Sequence, residues 1–197
     1  KRVYPGGSLA CDVVGFTTSD NVGSYGLEEY YNDVLSGTAG REYGYLNDDS
    51  NLERTTIPAE DGNSIVTTID INIQRIVEKY LAKFDEEYRD NFHEGNGANN
   101  VGCIMMDVNS GEVLAMASSP VFDLNDTRNT DALIGMRLLD KDGKKTQEYI
   151  NTDNLRTLEQ DADAMYQNLN ALWKNFCISD TYEPGSVAKP FTVAAGI

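Results

Sequence analysis

Histidine and positive charge are scarce in this sequence, and each scarcity excludes a class of function. The 197 residues include one histidine, His93, and 32 acidic residues against 16 basic ones. A histidine-based metal centre or a Ser-His-Asp triad needs more histidine, or a better placed one, than this polar stretch offers. We therefore expect no metal and no cofactor, and any serine chemistry must use another base.

The charge balance also argues against nucleic acid as a partner. A formal net charge of −16 and an isoelectric point near 4.3 oppose approach to a phosphate backbone, which attracts clustered lysine and arginine. The three cysteines, Cys11, Cys103 and Cys177, are spaced too widely for a zinc motif, and we expect free thiols. No apolar run is long enough to span a bilayer.

Hydrophobic patterning divides the chain into two parts. Residues 1–60 carry short apolar patches that predict loops, short strands and a short helix near residues 27–35. The β-branched run at 64–70 predicts a strand, and Asp70 is placed to cap a following amphipathic helix with apolar residues from Ile73 to Tyr88.

The remaining pattern predicts a sheet that this sequence does not complete. Two apolar runs flank the turn Asn109-Ser-Gly, which indicates a hairpin covered on both faces in the middle of a sheet. The stretch 118–151 is typical of a loop with a turn at 140–143, and one or two helices should end near Trp173. A sheet this small leaves unpaired edges, so we expect another segment or polypeptide to complete it.

A candidate nucleophile follows Pro184 and Gly185. Ser186 falls in the first turn of a predicted helix and Lys189 lies three residues later, so hydroxyl and amine share one face. An amine can then take the proton of an attacking alcohol, provided that burial and the helix end lower the lysine pKa. The bare Ser-x-x-Lys pattern also arises by chance, with Ser186 as a helix cap and Lys189 on the surface. We expect Pro190 to distort this first turn.

The surrounding residues resemble a known family. The run EPGSVAKPFT at 183–192 resembles the first active-site motif of the class B penicillin-binding proteins, the monofunctional peptidoglycan transpeptidases. Further segments are similar to that family in the same order along the chain: RVYP at 2–5, GLE at 26–28, TID at 68–70, SGEVLAMAS at 110–118 and NLNALW at 168–173.

The resemblance implies an α+β chain of two parts. Residues 1–62 would belong to the pedestal, or dimerisation, domain of short strands and loops. Residues 63–197 would form the N-terminal part of a transpeptidase domain, an incomplete α/β sandwich of the β-lactamase type. Ser186 would attack the D-Ala-D-Ala end of a peptidoglycan stem peptide with Lys189 as proton acceptor, and β-lactam antibiotics would acylate the same serine.

The same resemblance implies a location and partners. The family acts at the extracytoplasmic face of the bacterial membrane, anchored by an N-terminal helix that this chain lacks, among the cell-wall synthesis proteins. Because the chain begins at Lys1 and stops soon after Ser186, we expect a piece of a longer protein.

Two further motifs of the family do not follow the nucleophile. Ser19-Asp20-Asn21 and Lys145-Thr146 resemble them in letters only, since both precede Ser186 and Lys145-Thr146 is followed by glutamine. We therefore expect no catalysis by this chain alone. A β-lactam sensor and a non-catalytic interaction module of the wall-synthesis machinery remain alternatives. Packing of residues 1–60 against residues 63–197 would favour the transpeptidase over the sensor.

Overall fold

The computed structural model describes residues 2–46 and 52–197, which combine helices with two-stranded antiparallel sheets. The helices are α1 (Cys11–Val14), α2 (Gly26–Tyr30), α3 (Asn32–Leu35), α4 (Ile71–Glu87), α5 (Thr152–Leu158), α6 (Ala162–Trp173), α7 (Phe176–Ser179) and α8 (Lys189–Ala195). The strands pair consecutively and are β1 (Phe16–Thr17), β2 (Gly23–Ser24), β3 (Arg41–Leu46), β4 (Leu52–Ile57), β5 (Val101–Met106), β6 (Val113–Ser119), β7 (Arg137–Leu139) and β8 (Lys145–Tyr149). The α+β class with incomplete sheets is confirmed.

Helix α4 begins where the sequence placed its cap. The Asp70 carboxylate accepts hydrogen bonds from the backbone N–H groups of Asn72 and Ile73, at 2.8 and 3.0 Å. These two N–H groups have no acceptor inside the helix, so the carboxylate satisfies them and opposes the positive end of the helix dipole. The predicted N-cap is confirmed.

The buried face of α4 is narrower than its apolar pattern suggested. Val77 is buried against Ala115 and Ala117 of β6. Ile76 and Tyr80, which the pattern also assigned to this face, are 57% and 62% exposed. The apolar period locates the helix correctly, but a two-stranded hairpin is too small to cover its whole apolar surface.

The predicted strand at 64–70 is wrong. The hydroxyl of Thr68 donates to the Val113 carbonyl at 2.7 Å, and the Asp70 N–H donates to the Leu114 carbonyl at 2.9 Å. These isolated bonds do not form a ladder, and Val66 is 95% exposed. The β-branched residues therefore reflect a preference that no partner strand fulfils here, because strand propensity depends on cross-strand packing.

The hairpin of β5 and β6 is confirmed. Its strands pair from Val101 opposite Ser119 to Met106 opposite Val113. Helix α4 packs on one face and the short helix α7 on the other. Within the described residues neither strand has a partner on its outer edge. At the end of β5, Met105 and Met106 leave apolar side chains exposed.

The main core joins early and late parts of the sequence. The ring of Phe16 lies 5.2 Å from that of Trp173 and 6.1 Å from that of Phe122, measured between centroids. Cys11 and Leu133 are buried in the same cluster. The core thus extends across the boundary at residues 62 and 63 that the resemblance implied, and residues 11–25 pack directly on the later part.

The segment 118–151 contains structure that its polar composition concealed. The turn at 140–143 is confirmed, with the Gly143 N–H donating to the Asp140 carbonyl at 2.9 Å. It joins β7 and β8, a small hairpin where the polar composition predicts a loop. Helices α5 and α6 occupy the predicted region, and α6 ends at Trp173 as expected.

Helices in the described residues are also too short or too polar to cross a bilayer.

We predict that Asp70→Ala lowers the free energy of unfolding by about 1 kcal/mol, because two N–H groups at the start of α4 lose their acceptor. Asp70→Asn retains a side-chain oxygen and should cost much less. Urea denaturation of the three proteins measures the difference. Equal losses for alanine and asparagine would contradict a capping role.

Phe16→Ala should destabilise the protein by roughly 3–5 kcal/mol, since it leaves a cavity beside Trp173. The matched control is Phe92→Ala, because Phe92 is 81% exposed and its removal should change the unfolding free energy by no more than about 0.5 kcal/mol. Thermal or urea denaturation compares the two. Similar losses would show that Phe16 does not hold the core together.

Candidate active site

The segment that carries Ser186 is a 3₁₀ turn continued by an α-helix. The turn covers Gly185–Ala188, and α8 follows directly. Gly185 has a φ of 55°, in the left-handed region that glycine adopts without a steric penalty. Pro184 precedes it with φ at −71°. The two residues that interrupt the sequence therefore set the start of this helix.

Ser186 and Lys189 lie on the same side of the turn. A 3₁₀ turn has three residues per rotation, so positions three apart are aligned one above the other. The Lys189 N–H donates to the Ser186 carbonyl, which fixes the two residues one rotation apart. The backbone thus places the Cα–Cβ bonds of the two residues on one face of the turn.

Pro190 explains why this turn is of the tighter kind. In an α-helix, the N–H of residue 190 would donate to the carbonyl of Ser186, and proline has no such group. The Ser186 carbonyl accepts from Lys189 instead, and Pro190 falls in the first turn of α8, where its missing N–H has no cost. The expected distortion of the first turn is confirmed.

The turn positions Ser186 and Lys189, but no described residue covers them. Ser186 and Lys189 are both exposed, so the described residues do not supply the burial that lysine needs to act as a base. In residues 2–46 and 52–197, no hydrogen bond or ion pair reaches either side chain. Apolar neighbours on the same helix, Val187 and Phe191, are 67% and 78% exposed.

The two rejected motifs have local structural roles. Asn21 has a φ of 62° in the turn between β1 and β2, where its N–H donates to the Thr18 carbonyl. Lys145 begins β8 opposite Leu139, and the Thr146 hydroxyl donates to the Leu138 carbonyl at 2.9 Å. Both segments belong to hairpins, and these local roles account for their residues without any catalytic function.

A buried polar cluster joins α1, β6 and the residue before α7, and no sequence motif indicates it. Asp12 of α1, Ser118 of β6 and Asn175 before α7 are each no more than 6% exposed. The Ser118 hydroxyl donates to the Asp12 carboxylate, and the Asn175 amide donates to the Asp12 backbone carbonyl at 3.4 Å. These contacts join residues 106 and 163 positions apart, which no local spacing could reveal.

Burial dominates the electrostatics of this cluster. Removal of Asp12 from water raises its pKa to about 6, against the opposing effect of hydrogen bonds from Ser118 and Cys11; the nearby Glu78 charge adds to the rise. Glu78 accepts the Ala10 N–H at 2.7 Å and so attaches the start of α1 to α4. The first segment of the chain is therefore held by buried polar bonds as well as by aromatic packing.

Gln74 docks α4 onto the hairpin in the same way. It is 0% exposed. Its side-chain amide donates to the Met116 carbonyl and accepts from the Met116 N–H, both at 2.9 Å. The same amide donates to Glu78 at 2.8 Å. The side chain thus binds β6 as a neighbouring strand would, which keeps buried polar groups satisfied.

No group of three or more histidine, cysteine or acidic side chains within the described ranges is placed to hold a metal ion. The three thiols are free. Burial raises the pKa values of Cys11 and Cys177, so neither has the environment of a reactive thiolate. His93 stacks on Tyr149, with ring centroids 5.0 Å apart.

Comparisons with known proteins identify the class. Residues 101–197 match the family model of the penicillin binding protein transpeptidase domain. A peptidoglycan synthetase from Bifidobacterium adolescentis shares the fold, with a TM-score of 0.50 and 24% identity over 62% of this chain and 22% of that one.

Two curated relatives extend this finding. The penicillin-binding protein PbpB of Mycolicibacterium smegmatis is 35% identical over 130 residues, which are 62% of this chain and 18% of the relative. The peptidoglycan D,D-transpeptidase FtsI of Escherichia coli is 25% identical over 203 aligned positions, covering 100% of this chain and 26% of the relative. Residues 101–197 match the transpeptidase-domain family model, and the resemblance of the chain to the class B penicillin-binding proteins is confirmed. The chain spans about a fifth to a quarter of the length of these relatives.

Asp12 should make stability fall as the pH rises. Because its pKa is raised from 3.8 to about 6 in the folded protein, the folded state binds the proton more tightly than the unfolded chain. Its stabilising effect is full below about pH 4 and is lost as the pH rises through about 6. We predict that Asp12→Asn gains stability relative to the natural sequence between pH 4 and pH 7, as urea denaturation can measure.

Asp107→Asn is the control with the opposite sign. Hydrogen bonds from the N–H groups of Asn109 and Ser110 lower the pKa of Asp107. Its contribution is therefore present above the unfolded pKa and lost on acidification. A stability difference for Asp12→Asn that does not change with pH would contradict the assignment.

Proposed function

We propose that this chain is part of a serine-type peptidoglycan D,D-transpeptidase, with Ser186 as nucleophile and Lys189 as its base. The observation that carries the proposal is the 3₁₀ turn, which aligns these two residues inside the segment that matches the transpeptidase family model. FtsI of Escherichia coli is named for this activity. Lys189 acts as the base once burial by the rest of the domain favours its neutral form.

The reaction proceeds by acyl transfer in two steps. Lys189 takes the proton of the Ser186 hydroxyl as its oxygen attacks the penultimate D-alanine carbonyl of a stem peptide. The tetrahedral intermediate collapses, the C–N bond breaks, and the terminal D-alanine leaves with a proton returned from Lys189. An amine of a neighbouring strand then attacks the acyl-serine, the ester C–O bond breaks, and Ser186 regains a proton from the amine by way of Lys189 as the amide cross-link forms.

The start of the helix stabilises the negative charge that develops on the carbonyl oxygen. The first N–H groups of a helical turn have no acceptor within it, and the helix dipole is positive at this end. The Ser186 N–H therefore supplies one donor of the oxyanion hole. The second donor comes from the later motifs of the family, which do not follow Lys189 in this sequence.

This chain alone is inactive in our proposal, because the enclosure of the site lies elsewhere. The exposed Val187, Phe191 and Val193 on the nucleophile helix, together with the unpaired edges of β5 and β6 in the described residues, support a covering segment. The remainder of the transpeptidase domain, or a second polypeptide, would provide it. The stem peptide then binds between that segment and Ser186.

Packing between the first and second parts of the chain favours a transpeptidase over a β-lactam sensor. We assign residues 1–62 to the pedestal and 63–197 to the transpeptidase domain. Phe16 and Asp12 of the first part contact Trp173 and Ser118 of the second, which is the packing expected if the pedestal accompanies the catalytic domain. The full protein would act at the extracytoplasmic face of the bacterial membrane, anchored by a helix outside this chain, among cell-wall synthesis proteins.

In the full-length protein, Ser186→Ala should abolish the covalent penicillin adduct, because the acyl group has no other acceptor. Lys189→Ala should slow acylation by at least about a hundredfold, the contribution expected of a general base. Intact-mass spectrometry after incubation with penicillin, followed by peptide mapping, gives both the rate and the site.

The controls are Ser19→Ala and Lys145→Ala, which alter the two rejected motifs. Both should acylate like the natural sequence. An adduct that survives Ser186→Ala, or maps to another residue, would overturn the proposed function.

A further inference from the structure

We infer that Asn175 is a positioning residue for Ser186, which fixes the chain leading into the nucleophile turn against α1 and β6. The inference rests on the proposed role of Ser186. It concerns the buried cluster of Asp12, Ser118 and Asn175, which no motif of the sequence indicated.

Helix α7 is the last anchored element before Ser186. In the part of the chain that the structure describes, no hydrogen bond joins residues 181–195 to another element. The direction and position of the nucleophile turn therefore depend on where residues 175–179 are held. Five residues, 180–184, connect that helix to Gly185.

The connection between α7 and the nucleophile turn is short, and its last two residues are restricted. Pro184 has its φ fixed near −71°, and a residue before proline, here Glu183, is restricted to extended conformations. The Asp180 N–H still bonds to the Phe176 carbonyl at 3.4 Å. The path from the anchored helix to the 3₁₀ turn is thus short and conformationally limited.

Asn175 performs two tasks with one side-chain amide. Its oxygen accepts the Cys177 N–H at 3.0 Å and caps α7. Its nitrogen donates to the Asp12 carbonyl at 3.4 Å and contacts the Met116 sulfur at 3.3 Å. At 6% exposure, the amide is removed from water, so loss of the donor leaves the Asp12 carbonyl without this partner.

The opposite side of α7 is fixed by close packing. A Cβ atom on Gly102 of β5 would lie 2.7 Å from the Cys177 sulfur and 3.0 Å from the Phe176 ring. The Cys177 thiol also donates to the Ala117 carbonyl at 3.5 Å. The absence of a side chain at Gly102 lets α7 lie this close to the hairpin. Gly102 and Asn175 together therefore determine the position of α7.

The test, in the full-length protein, separates the capping of α7 by Asn175 from its hydrogen bond to the Asp12 carbonyl. Asn175→Ser keeps a good helix cap but is too short to reach the Asp12 carbonyl. Asn129→Ala is the matched control, because Asn129 caps another short turn through the Asp131 N–H and makes no contact in this cluster. Stopped-flow acylation with a fluorescent penicillin yields the dissociation constant of the first complex and the rate constant of the covalent step.

We expect Asn175→Ser to slow the covalent step about tenfold with an unchanged dissociation constant, since displacement of reacting groups by ~1 Å can cost about a hundredfold. Asn129→Ala should lower the melting temperature yet acylate normally. Gly102→Ala, which displaces α7 through contact with Cys177 and Phe176 and leaves Asn175 unaltered, should also slow the covalent step.

Covalent rate constants within about twofold of the natural sequence in Asn175→Ser and Gly102→Ala would overturn the inference while leaving the proposed function intact. Should Asn175→Ser not fold, Gly102→Ala alone decides by the same criterion. Absence of any adduct on Ser186 in the natural protein would instead overturn the proposed function.

Discussion

The packing of Phe16 against Trp173 is the contact on which the rest of the structure depends. It joins residues near the start of the chain to the end of α6, and α7 leads from that helix to the segment that carries Ser186. Both side chains are buried, and large aromatic side chains contribute much of the free energy of a core. The position of the candidate site is therefore set by residues that have no chemical role in it.

Buried polar groups then give this apolar contact a defined geometry. Asp12, Gln74 and Asn175 are each almost fully enclosed, and each bonds to the backbone or side chains of another element. An unsatisfied buried polar group is costly, so alternative packings that break these bonds are disfavoured. Aromatic contacts hold the two parts of the chain together, while the polar cluster determines how they fit.

Some apolar surfaces of the hairpin and of α8 have no cover in the described residues. The hairpin of β5 and β6 is covered by α4 and α7 but has no neighbouring strand in the described residues, and α8 presents Phe191 and Val193 to solvent. Apolar side chains at a sheet edge and on a helix next to a candidate nucleophile suit a surface that another segment encloses. Such enclosure would also provide the low-dielectric surroundings in which a lysine can act as a base.

Local rules by themselves determined the cap at Asp70, the hairpin turn after Asp107, the end of α6 at Trp173 and the turn that aligns Ser186 with Lys189. Each depends on residues within a few positions of one another, where capping, turn preference and proline geometry act directly. Only the tertiary structure decided that residues 64–70 form no strand, that β7 and β8 form a hairpin, and that Asp12 meets Asn175. Those outcomes depend on partners distant in sequence, because strand pairing and polar burial acquire their energy from whatever the fold brings alongside.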